Sequence, residues 1–396
     1  MSNMTFMEKL LDGVEVEWKA LGDVSEFKNG FAFKSSLFKE IGLPIIRITN
    51  VDGKTVNLSD VKYFDPADYN IGNPLNYSII NGDVLIAMSG ATTGKIGYFN
   101  SSETAYLNQR VGKFEPKSEM LNNRYLYHFL LTKADFLYVL AGGGAQPNLS
   151  SNKLKEKLLI PIPCPDNPEK SLEIQSEIVR ILDTFTELTT ELTTELTARK
   201  KQYSYYRDQL LSFEEGEVEW KTLGEAAKFL RGTAITKKQT TNGNIPVIAN
   251  GPVSTYSHGE INRNGETIVI ARSGAYAGYV SYWNQPIFLT DAFSVHPDPI
   301  VLKPKFVYYF LQNKQDHIHA MKKGAGVPHV RVKEFESFAI PIPTLTEQTR
   351  IVSILDKFDT LTHSISEGLP REIELRQKQY EYYRDLLLSF PKPETV

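Results

Sequence analysis

The chain has 396 residues, 41% hydrophobic and 23% charged, with a formal net charge of -3; this is an ordinary globular composition with room for two to three domains, and it argues against a bulk polyanion binder. Cys164 is the only cysteine, so neither a disulfide framework nor a zinc site built from cysteine pairs is available, which fits a reducing compartment. No apolar run reaches 18 residues and the opening MSNMTFMEKLLDG is polar and acidic, so a cytoplasmic protein without a membrane span or leader is expected.

From Val16 to Ile160, short apolar runs such as PIIRI (Pro44 to Ile48) and DVLIAM (Asp83 to Met88) alternate with Gly/Asn/Pro turns and read as strands. Asn123 to Val139 carries apolar residues at helical spacing and stops at Gly142 to Gly144. After the connector PDNPEK (Pro165 to Lys170), no Pro or Gly occurs from Ser171 to Phe213, and Ile178, Ile181, Leu182, Phe185, Leu188, Leu192, Leu196, Tyr203 and Tyr206 recur at helical steps. A single amphipathic helix on the order of 60 Å is predicted there. Within it, Thr186 to Thr197 is TELT written three times; one unit of four advances a helix by about 6 Å and turns it about 40° past a full turn. The tandem reads as a length adjuster, or as a low-complexity spacer with no adjustable role.

The chain then repeats itself. VEWKALG (Val16 to Gly22) returns as VEWKTLG (Val218 to Gly224), IPIP at Ile160 returns at Ile340, and IVRILDTF (Ile178 to Phe185) returns as IVSILDKF (Ile351 to Phe358). RKKQYSYYRDQLLSF (Arg199 to Phe213) returns 177 positions later as RQKQYEYYRDLLLSF (Arg376 to Phe390). This period is too long for a solenoid and implies two domain-plus-helix halves. The second helical region, from about Glu347 to Phe390, should break or kink at Gly368 and Pro370. The two apolar stripes are expected to pack as an antiparallel pair. The echo of LLSFEEGEVEW in KLLDGVEVEW (Lys9 to Trp18) places the start of the chain beside its last helix.

Catalytic patterns fail on spacing. SGATTGK (Ser89 to Lys95) has only three residues between Gly90 and Gly94, with Ile96 where a metal-binding hydroxyl belongs. DPADY (Asp65 to Tyr69) reads as a turn and PDNPEK as a linker leading into a helix start. His317 and His319 point apart on a helix, and no GxSxG elbow is present. The chain therefore reads as a binder.

Val16 to Ile160 holds 16 Lys+Arg against 14 Asp+Glu, and Val218 to Pro341 holds 14 against 9; this reads either as two anion-facing domains held by an acidic frame or as a random spread of surface charge. Glycine-bearing loops supply the side chains that hold phosphates and read base edges. In the first copy the candidates are Lys28, Asn29, Lys34, Thr92, Lys95, Asn108, Gln109, Arg110, Gln146 and Asn148. In the second they are Arg231, Thr233, Lys237, Lys238, Arg272, Ser273, Tyr276, Lys322, Lys323, His329 and Arg331. Arg110, Gln146, Asn148, Arg272 and Arg331 are favoured for base contacts, each bidentate pair being worth about 1–3 kcal/mol.

The doubled IPIP-to-helix junctions, IVRILD/IVSILD, the KKQYSYYRD and RQKQYEYYRD helix ends and the TELT tandem together resemble, over the whole chain, the specificity subunit of type I restriction–modification systems, in its IC-like branch. The resemblance implies an α+β, pseudo-twofold fold of two similar target-recognition domains separated by two long helical regions in an antiparallel coiled coil. On that plan residues 1–165 are the start and first recognition domain, 166–214 the spacer helix, 215–345 the second recognition domain, and 346–396 the second helical region and tail. It further implies a non-catalytic chain whose domains each read one half of a bipartite DNA site. Two modification subunits carrying S-adenosylmethionine and N6-adenine methylation chemistry, and two restriction subunits using ATP and Mg, are the implied partners. Their expected docking residues are Tyr205, Tyr206, Arg207, Tyr382, Tyr383 and Arg384, unless those tyrosines simply pack the helix pair. The rival readings are a protein-binding adaptor, and a self-contained methyltransferase that the absent cofactor loop disfavours.

Overall fold

The computed structural model describes residues 13–144, 147–214, 216–254, 256–323 and 326–391. The chain forms two compact units, one of residues up to Glu191 together with those from Glu374 onward, the other Leu192–Ile373. Among the described residues no helix is long and apolar enough to cross a membrane.

Each unit is α+β and repeats one topology. In the first, Val16–Ala20 pairs antiparallel with Leu159–Pro163, and a four-stranded sheet runs in the order Ser25–Asn29, Val111–Pro116, Val84–Ala87, Ile96–Tyr98. A second sheet sets Leu43–Ile46 parallel to Ala105–Leu107. In the second unit Glu219–Thr222 pairs with Ala339–Ile342, the four-stranded sheet runs Ala227–Arg231, Ala292–Pro297, Glu266–Ala271, Val280–Asn284, and Ile245–Ile248 lies parallel to Phe288–Leu289. VLIA at Val84–Ala87 is buried throughout, as expected of a strand covered on both faces. The prolines of the two IPIP segments sit in two-stranded ribbons, where a missing N–H can face outward without breaking a ladder.

The helical run predicted from Asn123 to Val139 is two helices, Asn123–Leu131 and Ala134–Leu140. Thr132 closes the first by donating its hydroxyl to the Phe129 carbonyl at 2.7 Å. The second unit breaks in the same place, between Pro304–Asn313 and Gln315–Ala320. There the Gln315 amide donates to the Gly278 carbonyl at 2.8 Å, and its Oε1 accepts from the Val280 N–H at 3.0 Å. Tertiary bonds of this kind break a helix without Gly or Pro, so periodicity alone reads through them.

The uninterrupted central helix spans Pro168–Leu210. The later helical region is split into Leu345–His363 and Gly368–Leu387, the chain resuming at Gly368 with φ +78°, a left-handed conformation suited to glycine. In the first unit Phe185 of the central helix stacks on Tyr383 with centroids 5.3 Å apart. In the second, Tyr203 meets His363 and Tyr206 stacks on Phe358, so the central helix and Leu345–His363 run in opposite directions. Leu387, Leu388 and Phe390 are buried in the first unit's core with Ile174, Ile178 and Leu182. The Trp18 indole donates to the Pro391 carbonyl at 2.7 Å, so residues from the beginning and end of the described chain close one domain.

The doubled ILD motif marks a polar junction in each unit. Asp183 accepts from His128 Nε2 at 2.8 Å and Arg124 Nε at 2.9 Å, while Tyr380 Oη lies 2.9 Å from His128 Nδ1. With His128 neutral, Nε2–H donates to the carboxylate and Nδ1 accepts from the tyrosine. Burial is the main cause that holds the His128 pKa down, outweighing the bond to Asp183. In the second unit Asp356 accepts from the Tyr309 hydroxyl at 2.6 Å and pairs with Lys305 at 2.7 Å. Both junctions tie a domain helix to a long helix by partly buried, charge-assisted bonds.

Candidate nucleic-acid interface

A groove recurs at the same backbone position in both units. In the first, a turn led by Gly90 (φ +81°) is pinned by its N–H to the Pro147 carbonyl at 3.2 Å, and the Leu149 N–H donates to the Met88 carbonyl at 2.7 Å. In the second, Gly274 N–H reaches the Pro328 carbonyl at 3.0 Å and Val330 N–H reaches the Arg272 carbonyl at 2.9 Å. The bridge between Ser89 and Asn148 is matched by one between Ser273 and His329. The opposite wall is a tight crossing of two loops. A Cβ added at Gly30 would lie 2.1 Å from the Asn108 carbonyl oxygen, and one at Gly232 would lie 1.8 Å from that of Thr290. Only glycine permits this approach, which explains the KNG and LRG starts of both loops.

The side chains on this shared frame differ. Ser89, Gln109, Arg110 and Asn148 help line a groove of about 730 Å³ in the first unit. An adjoining depression of about 320 Å³ adds Arg47 and Asn108. The Gln109 N–H is held by the Phe31 carbonyl at 2.7 Å, leaving the exposed Gln109 and Arg110 side chains at a loop tip. Ser89 Oγ is buried without a hydrogen-bond partner among the described residues. The second groove, about 550 Å³, takes Arg231, Arg272, Asp291, His329 and Arg331 and is the more cationic. Amide side chains can pair with the N6/N7 edge of adenine and guanidinium groups with the O6/N7 edge of guanine.

The structure thus gathers Gln109, Arg110 and Asn148 in one groove and Arg231, Arg272, His329 and Arg331 in the other. The remaining candidates stand elsewhere. Lys28 lies opposite Lys113 in the sheet, exposed Asn29 ends that strand, and exposed Lys34 precedes the short helix Ser35–Leu37. The Thr92 hydroxyl is used by the Ile48 carbonyl at 3.0 Å. Lys95 stands near Asp52, whose pKa burial raises but which the Thr55 and Lys54 amides, the Thr55 hydroxyl and the Lys95 charge together hold below the usual carboxylate range. Exposed Lys237 and Lys238 occupy the single turn Lys237–Gln239, Thr233 is anchored through its N–H to the Leu289 carbonyl at 2.9 Å, and Tyr276 is half-exposed. The Ser273 hydroxyl donates to Asp291 at 2.9 Å. Lys322 donates to the Ala275 carbonyl at 3.4 Å, and Lys323 is paired with Glu334 at 2.8 Å. Gln146 lies outside the described residues.

Sequence reasoning missed Asp291 and Asn250, because a search for cationic and amide-rich loops passes over a carboxylate and over the ANGP turn. Aligning the two loops that cross the glycines, LNQRV at Leu107 and LTDAF at Leu289, exposes the acidic residue. Among the described residues no three His, Cys, Asp or Glu converge as metal ligands.

On the helices, Tyr206 and Tyr383, 40% and 39% exposed, spend one face on Phe358 and Phe185, whereas Tyr205 and Tyr382 are 59% and 65% exposed. Arg207 and Arg384 lie over the Tyr203 and Tyr380 rings and pair with Asp208 and Asp385. The six expected docking residues therefore divide into a packing set and an outward set.

The model of the type I restriction modification DNA specificity domain matches residues 13–200 and 215–375. The chain is 42% identical to the specificity subunit of the EcoR124I/EcoR124II type I restriction enzyme of Escherichia coli, covering 100% of both chains. It is 34% identical to the EcoprrI type I specificity subunit, also of Escherichia coli, over 93% of each. Its fold matches the S subunit of the Type-I restriction–modification system of M. genitalium with a TM-score of 0.62 at 19% identity, covering 98% of this chain and 100% of that one.

Proposed function

The chain belongs to the type I restriction–modification DNA specificity family, and from that premise we propose that each unit reads one half of a split, asymmetric DNA site. The helical regions set the unread spacer and dock two modification subunits, which carry S-adenosylmethionine and the N6-adenine methylation chemistry. Two restriction subunits supply ATP- and Mg-dependent translocation and cleavage. The observation that carries this reading is one groove built twice on equivalent backbone with different side chains, Gln109, Arg110 and Asn148 in one unit and Arg231, Arg272, His329 and Arg331 in the other. Two frames of one shape with unlike donors suit two half-sites of unlike sequence.

With a net charge of -3, the isolated chain neutralises few phosphates, and much of that task falls to the modification subunits. Fluorescence anisotropy on duplex DNA at fixed salt should show weak, unselective binding by the chain alone and selective binding by the assembled complex. Tight sequence-selective binding by the chain alone contradicts this division of labour. Complexes that never become selective favour the protein-binding adaptor.

Docking is assigned to the outward tyrosines. Tyr205→Ala and Tyr382→Ala should each weaken assembly with the modification subunit by roughly 10-fold or more, the scale of an interfacial aromatic anchor, while leaving thermal stability nearly unchanged. Tyr206→Ala and Tyr383→Ala should instead lower the melting temperature, because they strip the stacked helix contacts. Wild-type assembly by the Tyr205 and Tyr382 variants would move the docking surface elsewhere.

A further inference from the structure

In the second groove, the backbone of Arg272 is anchored on both sides and its side chain faces a fixed carboxylate. Its N–H donates to Asn250 Oδ1 at 2.9 Å, and its carbonyl accepts the Val330 N–H. Its guanidinium faces Asp291 Oδ1 at 3.5 Å. That carboxylate is itself fixed, because Asp291 Oδ2 accepts from the Asn250 amide at 2.5 Å and from the Ser273 hydroxyl at 2.9 Å. Asn250 also donates to Ser273 Oγ at 2.9 Å, which closes the network.

Resting on the half-site reading above, we propose that Arg272 reads a guanine of a G·C pair in the half-site of the second unit, with Asp291 and Asn250 as its positioning residues. An arginine that served a backbone phosphate would gain nothing from an anchored carboxylate beside it, since that charge repels the phosphate. Against a base edge the same pairing helps. The ion pair draws the guanidinium toward the anchored carboxylate and leaves donors for guanine O6 and N7, and the carboxylate accepts from a cytosine amino group but meets only acceptors on guanine. Preorganisation also spares the ordering cost of a long side chain. Among the described residues the first unit has no such device: Met88, at the position of Arg272, is buried, and Ser89, at the position of Ser273, has no hydrogen-bond partner for its hydroxyl. The effect therefore belongs to one half-site only.

The test uses the full chain co-expressed with its modification subunit in a methylation-free host, with N6-methyladenine mapped by single-molecule sequencing. In Arg272→Gln, one G·C position of one half-site should lose its preference by roughly 5- to 150-fold, the discrimination of a bidentate arginine–guanine pair. The other half-site and the spacer should stay as in the wild type. Asn250→Ala should relax the same position to a smaller degree. An unchanged motif in Arg272→Gln, or an even loss of methylation at all sites, overturns the proposal. A wild-type chain that gives no two-part motif overturns the half-site reading on which it rests.

Discussion

Deleting Thr190–Thr193 should shorten the spacer of the recognised DNA site by about one or two base pairs and leave both half-sites unchanged. One TELT unit contributes about 6 Å of helix, against about 3.4 Å per base pair of DNA. The deletion is mild for the helix itself. Thr186, Thr190 and Thr197 donate their hydroxyls to the carbonyls of Leu182, Thr186 and Thr193, four residues back, and removing one tetrad leaves equivalent acceptors in place. The division between the compact units falls at Glu191, inside the tandem, so the change reaches their connection and neither groove. Methylation should leave the original sites and appear at a new set. A changed half-site with the old spacer contradicts this account of the tandem.

The second large effect lies at the ILD junctions. Asp183→Ala deprives buried His128 and Arg124 of their shared acceptor, and Asp356→Ala does the same to Tyr309 and Lys305. Leaving such groups unpaired should cost about 2–4 kcal/mol in the affected unit, measured by urea unfolding. Glu177→Ala, which removes an exposed pair with Arg180, should cost less than about 1 kcal/mol. Equal losses from the two kinds of variant would remove the junctions from the account of stability.

The first junction also fixes a pH dependence. His128 is the only histidine of the first unit, and burial, helped by the Arg124 and Arg384 charges, outweighs Asp183 and holds its pKa below 6.5. Protonation therefore favours the unfolded chain: the stability that neutral His128 confers is complete above pH 6.5 and is lost as pH falls toward the depressed folded value. Asp183, also held below its ordinary 3.8, keeps its contribution until pH falls below that range. The urea midpoint of the first unit should drop between pH 7 and pH 5, and drop less in His128→Gln, whose amide can make both bonds without titrating in this range. An equal drop in both proteins would assign the dependence to other groups.

Much of this architecture is legible in the sequence, because the repeat is a physical constraint written twice. The repeated IPIP and ILD segments prove to be ribbon strands and junction carboxylates, roles the repeat by itself does not state, while the stretch without Pro or Gly from Ser171 to Phe213 marks the unbroken helix Pro168–Leu210. The helix breaks at Lys133 and Lys314 were not legible, because they are set by capping and tertiary bonds rather than by breaker residues. The candidate grooves were visible only in part. Gln109, Arg110, Asn148, Arg231, Arg272, His329 and Arg331 were flagged by chemistry and line the grooves. Lys95 and Lys323 have the same chemistry but stand beside Asp52 and Glu334. Composition cannot tell a lysine facing a groove from one facing a carboxylate, and it hides Asp291, whose position depends on a fold-level crossing at Gly232.

The most direct test of the central claim is the map of N6-methyladenine left across the genome of a methylation-free host by this chain and its modification subunit. The account predicts one motif made of two short, unlike half-sites around a fixed gap. An active modification subunit that leaves no motif, or a single uninterrupted one, would contradict it.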